Sequence, residues 1–592
     1  MTVWKFAISA VAVAFSFAAI VQVRGQPSTE GFISIDCGTP DGYNHTDNTN
    51  IQYVSDDQYI DSGVNKRIAQ NYINSSIPIQ DVTARSFPSG SRNCYTLKPV
   101  TANQKYLLRA TFMYGNYDGQ QSVNPNTSIL FDLYIGVDLW KTVNISDASA
   151  EYRVEAITLA LADFISVCLI NTGSGTPFIS ALELRPIKLA MYPAAMANQS
   201  IVLYLRRTYK PSSNQIFRFP DDPYDRIWAS YTEIPSDWTT ISTNAPIQYY
   251  ADDHFNAPST VLQTAVTPIR STTMTFLRLD KGSGPIAPQY HVVFYFTELQ
   301  LLNSNAVREF SIYLDGSDRW GDSFRLLYLM SYYFCSTDPL TVDYAFSLNA
   351  TANSTLPPLI NALEVYTLMY LSNPATDVSD GASRICSFRN HDCPDAIMAV
   401  KAQYQVKRNW MGDPCNPTEY AWDGLNCSYT ASPSRITSVN LSSSRLAGQI
   451  SDFFSKLQAI ESMDLSNNNL TGGIPYSLAS ISSLQVFGDS SGLPWLPENE
   501  QRKNVTEVAV KVCHQISSQG TKQLHAEAES LTHVFHKNLV SLVGYCMDGD
   551  KLGLVYEYVP QGSLHDHLRG TSGVFRALNW GERLRIALEA AQ

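Results

Sequence analysis

The sequence predicts a multidomain, mainly β protein: two β-sandwich modules in tandem, a short repeat solenoid and a partial α+β segment. Runs that alternate in polarity, such as Tyr106–Tyr114, are bounded by Gly, Pro, Asn and Asp, a pattern typical of sandwich strands. Two strand motifs occur twice: Ile179–Leu184 returns as Ile360–Val365, and Phe131–Gly136 returns as Phe310–Asp315. Because separate strands recur at similar offsets, we expect two copies of one fold.

The composition allows large buried cores and excludes one class of partner. Apolar residues make up 44% of the 592 residues and charged residues 16%, which argues against a mostly disordered chain. The 42 Lys and Arg against 54 Asp and Glu give a formal charge of −12. Nucleic acid is therefore excluded as a general partner, since phosphate binding needs a basic surface. With 10 His and no metal-rich tract, we expect no metal site.

Residues 1–25 have the pattern of a secretory signal peptide. Lys5 is the only charge before an apolar run from residue 6 to residue 23, and Val23 and Gly25 stand at −3 and −1 of a cleavage before Gln26. An uncleaved anchor is the alternative, because the run approaches the length that spans a bilayer. No later stretch has 18 consecutive apolar residues, so we expect no internal span.

Glycosylation sequons support a secretory route. Asn-x-Ser/Thr is frequent, and each such site predicts a surface position that can carry a glycan. The predicted acceptors are Asn44, Asn74, Asn126, Asn144, Asn198, Asn349, Asn353, Asn426, Asn440 and Asn469. A further sequon, at Asn504, lies next to a segment to which we assign a different character.

Residues 31–370 resemble the plant malectin-like ectodomain, a pair of β-sandwich modules related to a carbohydrate-binding lectin. The residues that carry the resemblance are Phe32–Gly38, Thr111–Gly119 and the two Ala-Leu-Glu strand endings. We place module 1 at 31–188 and module 2 at 189–370. The resemblance implies extracellular ligand binding, with a cell-wall glycan or a secreted peptide as the ligand and a co-receptor kinase as a further partner.

Two tyrosines are candidate ligand contacts. Tyr114 and Tyr117 lie on a Gly-rich loop, where exposed rings could stack on a sugar. The alternative, which we favour, is that both rings pack under their own loop.

Three adjacent acid pairs raise the alternative of a glycosidase. The pairs are Asp56-Asp57, Asp221-Asp222 and Asp252-Asp253. Hydrolysis needs two carboxylates facing one bond, whereas neighbours on a strand point to opposite faces. We therefore interpret the three pairs as solvated turns.

Residues 371–409 read as an irregular linker. Cys386 and Cys393 could close a small disulfide loop, or the segment could be an insertion with no packed role. A metal site is the least favoured interpretation, because only His391 adds to the two thiols.

Residues 410–492 resemble a capped array of plant leucine-rich repeats. Trp410–Cys415 and Trp422–Cys427 match the amino-terminal cap, and this resemblance implies a Cys415–Cys427 disulfide. A 24-residue period follows, in which Asn468 and Leu470 belong to the middle repeat. Barely two repeats are complete, fewer than the three or so that stabilise an independent stack. We expect the array to lean on its cap or on a neighbour.

After a linker at 493–507, residues 508–592 resemble the amino-terminal lobe of plant receptor-like Ser/Thr kinases. The motifs in order are Val508–Val512, Glu527, His536–Cys546 and Leu554–Pro560. By this resemblance Lys511 pairs with ATP phosphates and with Glu527. The remaining assigned positions surround the adenine: Ala509 over the base, Tyr556 as gatekeeper, and Glu557 with Val559 as hinge.

The motifs for phosphoryl transfer are incomplete in this sequence. No Gly-x-Gly-x-x-Gly precedes Val508, and neither His-Arg-Asp nor Asp-Phe-Gly occurs before Gln592. We expect no catalytic residue, no kinase activity and a vestigial ATP site, with ATP and Mg²⁺ the cofactors of the parent family only. The leading interpretation is a receptor-type binding protein, secreted or at the plasma membrane. The alternatives are a fragment of an active membrane receptor kinase and a lectin that acts without signalling.

Overall fold

The computed structural model describes most of the chain from residue 27 onward. The described residues are 27–124, 126–209, 215–279, 287–316, 318–340, 344–371, 373–377, 380, 396–408, 410–430, 432–471, 475, 477–478, 481–488, 494–495, 508–513, 542–548, 551–557 and 578–591. The predicted signal peptide and the pair Cys386 and Cys393 lie outside them.

Module 1 is a sandwich of two sheets. Its strands are β1 (Ile33–Asp36), β2 (Asn44–Thr46), β3 (Gln52–Ser55), β4 (Val64–Arg67), β5 (Thr83–Ser86), β6 (Arg92–Leu97), β7 (Lys105–Met113), β8 (Ile129–Ile135), β9 (Asp138–Ile145), β10 (Glu151–Leu159), β11 (Ile165–Ser174), β12 (Phe178–Ile179) and β13 (Ala181–Ile187). The main sheet runs β2-β3-β1-β13-β7-β10 and the second sheet β6-β11-β8-β9. A small sheet, β12-β5-β4, and short 3₁₀ helices at Gln70–Tyr72 and Ile79–Asp81 complete the module.

Module 2 repeats this arrangement. Its elements are β14 (Gln199–Thr208), β15 (Ile216–Phe217), β16 (Trp228–Ser230), β17 (Trp238–Ser242), α1 (Ser259–Leu262), β18 (Thr264–Pro268), β19 (Thr273–Arg278), β20 (Tyr290–Phe296), β21 (Glu309–Leu314), β22 (Asp318–Arg325), β23 (Tyr332–Cys335), β24 (Ala345–Ala350) and β25 (Ala362–Tyr370). The second sheet, β19-β24-β21-β22, has the order of β6-β11-β8-β9. The recurring motifs fall on matching strands, β8 with β21 and β13 with β25. The predicted tandem-sandwich fold is confirmed.

One continuous sheet joins the two modules. Strand β10 pairs antiparallel with β14, with Ala156 opposite Val202 and Ile157 opposite Ile201. The main sheet therefore continues from module 1 through β14-β25-β20-β23. Leu107 on β7 belongs to the same apolar core as the interior of module 2. The modules thus share both backbone pairing and buried surface.

The repeat region has a larger cap than we predicted. Its elements are α2 (Ala396–Tyr404), β26 (Leu425–Ser428), β27 (Arg435–Asn440), β28 (Ala447–Gly448), β29 (Ser462–Asp464), β30 (Asn469–Leu470), β31 (Val486–Gly488) and β32 (Pro494–Trp495), with 3₁₀ helices at Thr418–Tyr420 and Asp452–Lys456. Helix α2 falls within the predicted irregular linker, yet Ile397 and Val400 pack in one core with Trp410 and Trp422. The linker interpretation is wrong for this helix, because its apolar face closes the open end of the solenoid.

Side-chain hydrogen bonds hold the turns of the two repeats. Asn468 donates to the carbonyls of Leu441 and Leu465, each at 2.8 Å. The first repeat has Ser444 at the equivalent position. There Arg408 donates to the Ser444 hydroxyl at 2.7 Å and to the Asn440 carbonyl at 2.7 Å. An arginine from the cap thus does for the first repeat what the consensus asparagine does for the second.

The cap rests on module 1, so the short array leans on both its cap and a neighbour. Arg92 on β6 donates to the carbonyls of Asn416 at 2.8 Å and Asp413 at 2.6 Å. Gly412 lies directly over a disulfide between Cys94 and Cys168, which sequence reasoning missed.

The kinase-like segment contributes a small antiparallel sheet. Its elements are β33 (Val508–Cys513), β34 (Leu542–Asp548), β35 (Lys551–Glu557) and α3 (Trp580–Ala591). The strand order is β33-β35-β34.

Candidate functional site

The face of the main sheet that module 2 covers changes character along each strand. On β7 the side chains of alternate residues share this face. Leu107 lies in the apolar core, Arg109 lies in a cluster of charges, and Thr111 lines a cleft. Core, ionic cluster and cleft therefore follow one another along the junction of the modules.

The ionic cluster contains five arginines and five carboxylates, all within salt-bridge distance of a partner. Its members are Arg109, Arg185, Arg206, Arg218, Arg226, Glu155, Glu183, Glu364, Asp222 and Asp225. Glu155 joins the modules by accepting from Arg109 at 2.7 Å and from Arg206 at 2.7 Å. Because the charges balance, the cluster can be buried without an uncompensated ion.

The two repeated Ala-Leu-Glu motifs supply the centres of the cluster. Glu183 accepts from Arg109 at 2.6 Å and from Arg185 at 2.8 Å. Glu364 accepts from Arg206 at 2.8 Å and from the hydroxyl of Tyr295 at 2.6 Å. The internal repeat thus places one buried glutamate on each side of the module junction.

The arginines keep these glutamates ionised. Burial alone raises the pKa of Glu183, but the charges of Arg109 and Arg185 outweigh it and lower that pKa. Burial likewise opposes ionisation of Glu364, and Arg206 with Arg226 again lowers the pKa. These two glutamates are therefore partners in ion pairs rather than neutral acids.

A small polar cleft opens at the end of this cluster. Its lining residues are Pro78, Gln80, Asp81, Arg109, Thr111, Glu151, Arg153, Ala181, Glu183, Arg218 and Ile227. The 3₁₀ helix Ile79–Asp81 forms one wall, and strands β7, β10 and β13 form the floor. The Glu151 and Arg153 side chains pair with each other and are 27% and 28% exposed. They form the rim of the cleft.

Tyr114 and Tyr117 lie in the core of module 1. The two rings contact each other edge to face at 5.3 Å, and the Tyr117 ring contacts Phe178 at 5.1 Å. The Tyr114 hydroxyl donates to Asp118 at 2.6 Å. Both residues are buried. Both rings therefore pack under their own loop, the interpretation that we favoured, and neither offers an open face to a sugar.

The interpretation of the acid pairs as solvated turns is wrong for one member of each pair. Asp56 accepts from Arg85 at 2.9 Å, Asp222 from Trp228 at 2.8 Å, and Asp253 from Ser331 at 2.9 Å. All three are buried, whereas their sequence neighbours are exposed. The donors to Asp56 and Asp253 are distant in sequence, whereas Trp228 is close to Asp222 along the chain.

Asp36 on β1 gives a pH-dependent prediction. Burial raises its pKa to about 7, although Thr83 donates to it at 2.7 Å. The folded protein therefore holds a proton that the unfolded chain releases near pH 4. The stabilisation that this bound proton provides is present below about pH 4 and is lost as the pH rises toward 7.

Asp36→Asn keeps an acceptor for Thr83 but has no proton to release. Between acid and neutral pH we therefore expect the variant to lose roughly 2–4 kcal/mol less stability than the wild type. Urea unfolding of both proteins at pH 4.5 and 7.5 measures it, and parallel pH profiles would contradict it.

The predicted nucleotide-binding residues lie only in part among the described residues. Ala509 is opposite Tyr556 on adjoining strands, and Lys511 is opposite Leu554. Glu557 ends strand β35 and is opposite Val508. Glu527 and Val559 lie outside the described residues.

The remaining predictions concern a disulfide, the glycosylation acceptors, metal sites and a membrane span. Cys415 and Cys427 are joined by a disulfide. Of the predicted glycosylation acceptors, Asn349 is half-buried and the others are exposed. In the part of the chain that the structure describes, no group of three or more His, Cys, Asp or Glu is placed to hold a metal ion. No described helix has both the length and the apolar character needed to cross a bilayer.

Family models match three parts of the chain. A malectin-like domain matches residues 35–368, a leucine-rich repeat matches 459–481, and a protein tyrosine and serine/threonine kinase matches 490–592. The first match alone covers more than half of the chain. The three matches follow the order of the sandwiches, the solenoid and the small sheet.

The curated relatives of this chain are receptor-like kinases of a plant. A probable LRR receptor-like serine/threonine-protein kinase of Arabidopsis thaliana is 34% identical over 711 residues, covering 100% of this chain and 79% of the relative. A putative leucine-rich repeat receptor-like serine/threonine-protein kinase of the same plant is 32% identical, covering 98% of this chain and 76% of the relative. The crystal structure of the ANX2 ectodomain from Arabidopsis thaliana aligns with a TM-score of 0.47 and 18% identity, covering 57% of this chain and 96% of that one. From the family models and the curated relatives, the chain belongs to the malectin-like, leucine-rich-repeat family of receptor-like serine/threonine kinases.

Proposed function

We propose that this chain is an extracellular ligand-binding receptor-like protein that reaches the cell surface or its exterior by the secretory route. The observation that supports this most is the malectin-like pair, in which one sheet and one buried ionic cluster unite two modules. A polar cleft opens at their junction. The proposed ligands are a cell-wall glycan or a secreted peptide, and a co-receptor kinase is the proposed partner in signalling.

Binding of the full chain to panels of both ligand classes tests this proposal. The chain is produced with its sequons intact and offered a cell-wall glycan array and a panel of secreted peptides. We expect saturable binding to members of one class. Tyr114→Ala serves as a folding control on the glycan array. Because the Tyr114 ring packs in the core, its removal should weaken the fold and should not delete a single sugar contact. A folded chain that binds neither class would contradict the proposal.

We further propose that the kinase-like segment does not transfer phosphoryl groups. The sequence before Val508 contains no Gly-x-Gly-x-x-Gly, the motif that covers the nucleotide phosphates in protein kinases. Lys511 on β33 and the hinge end of β35 are the nucleotide-facing positions of the parent family. ATP with Mg²⁺ would supply the transferable phosphoryl group there, but these residues alone do not make a phosphate cradle.

Nucleotide affinity distinguishes this proposal from the alternative, a fragment of an active membrane receptor kinase. We expect ATP and Mg²⁺ to leave the thermal unfolding midpoint of the full chain unchanged, because binding stabilises a protein only when a site exists in its folded state. Lys511→Met is the matched variant and should behave identically. A rise in the midpoint that Lys511→Met abolishes would favour the active-kinase alternative.

A further inference from the structure

The cleft contains a carboxylate that has no partner in the described part of the chain. Asp81 ends the 3₁₀ helix Ile79–Asp81 and is 1% exposed. Among the residues that the structure describes, neither of its carboxylate oxygens has a hydrogen-bond partner, and the side-chain oxygen of its neighbour Gln80 also has none. Buried polar atoms are normally paired, because leaving one unpaired costs free energy. Three acceptor oxygens at one cleft therefore need donors.

The charges around Asp81 are already committed to one another. Arg109, Arg218 and Glu183 belong to the balanced ionic cluster, and Arg153 pairs with Glu151 at the rim. Asp81 is thus the one lining carboxylate for which the structure gives no salt bridge among the described residues. Burial, the charge of Glu151 and smaller contributions from Glu183 and Asp36 raise its pKa, and Arg153 opposes them. Asp81 itself is left without a cationic partner among the described residues.

The size of the cleft restricts what can bind. Its volume is about 30 Å³, whereas pockets for drug-sized ligands measure roughly 300–1,000 Å³. A sugar ring is too large, and a planar guanidinium is larger than an ammonium. An ammonium group has about the size of a water molecule and carries three N–H donors, the number of unpaired acceptor oxygens in the cleft.

We propose that this cleft binds a primary ammonium group of the extracellular ligand, either a lysine side chain or a free amino terminus. Asp81 supplies the charge and two acceptors, and Gln80 supplies the third. The inference rests on the proposed function and favours a peptide over a neutral glycan. It also gives the 3₁₀ helix Ile79–Asp81 a role in selecting the ligand.

Ligand-observed saturation-transfer NMR on the full chain tests the proposal with methylammonium as the probe. A two-heavy-atom ligand binds with a dissociation constant on the order of 10 mM at best. We expect transfer in the wild type and at least tenfold weaker binding in Asp81→Asn, which keeps the shape and removes the charge. Asp163→Asn, at an exposed acid outside the cleft, is the matched control and should bind as the wild type does.

Further probes and a second variant separate the remaining outcomes. Tetramethylammonium has the same charge but no N–H donor, so it should not compete. Nα-acetyl-lysine amide presents only a side-chain ammonium and glycinamide only a terminal one, so the better competitor identifies the source. Gln80→Met, which removes one acceptor, should weaken binding even if Asp81→Asn fails to fold.

Three results would overturn the inference: no transfer in the wild type, equal transfer in Asp81→Asn and wild type, or displacement by the same concentration of K⁺. None of them bears on whether the chain binds a glycan or peptide in the panel experiment. The two proposals can therefore fail separately.

Discussion

Glu364→Gln is expected to lower the stability of the malectin-like pair by about 3–5 kcal/mol. Glu364 accepts from the hydroxyl groups of Tyr192 and Tyr295 and from Arg206. A glutamine side chain has one acceptor oxygen and replaces the other by a donor, so buried donors would face a donor. The substitution also removes a charge that compensates Arg206 and Arg226 in a site without water access.

The matched control is Glu309→Gln, at an ion pair with Arg325 whose guanidinium side chain is 57% exposed. We expect a much smaller effect there, because exposed ion pairs contribute little. Urea unfolding of the full chain at pH 7 measures both variants. If the two substitutions shifted the unfolding midpoint equally, the cluster at the module junction would not be the stabilising feature that its burial indicates.

The sequence predicts the modules well and their junction poorly. Alternating runs and the two Ala-Leu-Glu motifs are local signals, and both fall on interior strands of the main sheet. The ionic cluster depends on pairings such as Glu155 with Arg206, which lie on strands of different modules. Nothing in the local pattern distinguishes these residues from surface charges.

The same limit explains the acid pairs and the cleft. Asp56 and Asp57 have the same side chain and adjacent positions, yet Arg85 and Tyr95 reach only the first of them. Asp81 in the sequence is an ordinary acid near a proline. Its isolation becomes visible only when the surrounding charges are seen to be paired with others. The side-chain geometry of the predicted nucleotide-binding positions is outside what the structure describes.

Replacing both Cys94 and Cys168 by alanine is expected to cost roughly 4 kcal/mol of stability, because the disulfide closes a long loop in the unfolded chain. The two cysteines are 74 residues apart, whereas Cys415 and Cys427 are 12 apart. The same relation gives roughly 3 kcal/mol for the shorter loop. Urea unfolding of the two double-alanine variants, one for each disulfide, tests whether the disulfide that closes the longer loop stabilises the chain more.

Removing the Cys94–Cys168 disulfide should also destabilise the repeat region. A loss of loop entropy alone would not do this, so the effect would show that the disulfide also acts through packing. A Cβ atom placed on Gly412 would lie 2.8 Å from the Cys94 sulfur and 3.1 Å from the Cys168 sulfur, so the cap backbone rests on the disulfide itself. Met411 packs in the same cluster. Without the sulfurs a void opens beneath the cap, and hydrogen exchange of the amides in residues 410–470 should become faster.

Gly412→Val leaves the disulfide in place but pushes the cap away from it, so it should raise exchange in the same residues while module 1 keeps its stability. Unchanged exchange in both variants would mean that the solenoid is held by its own cap alone.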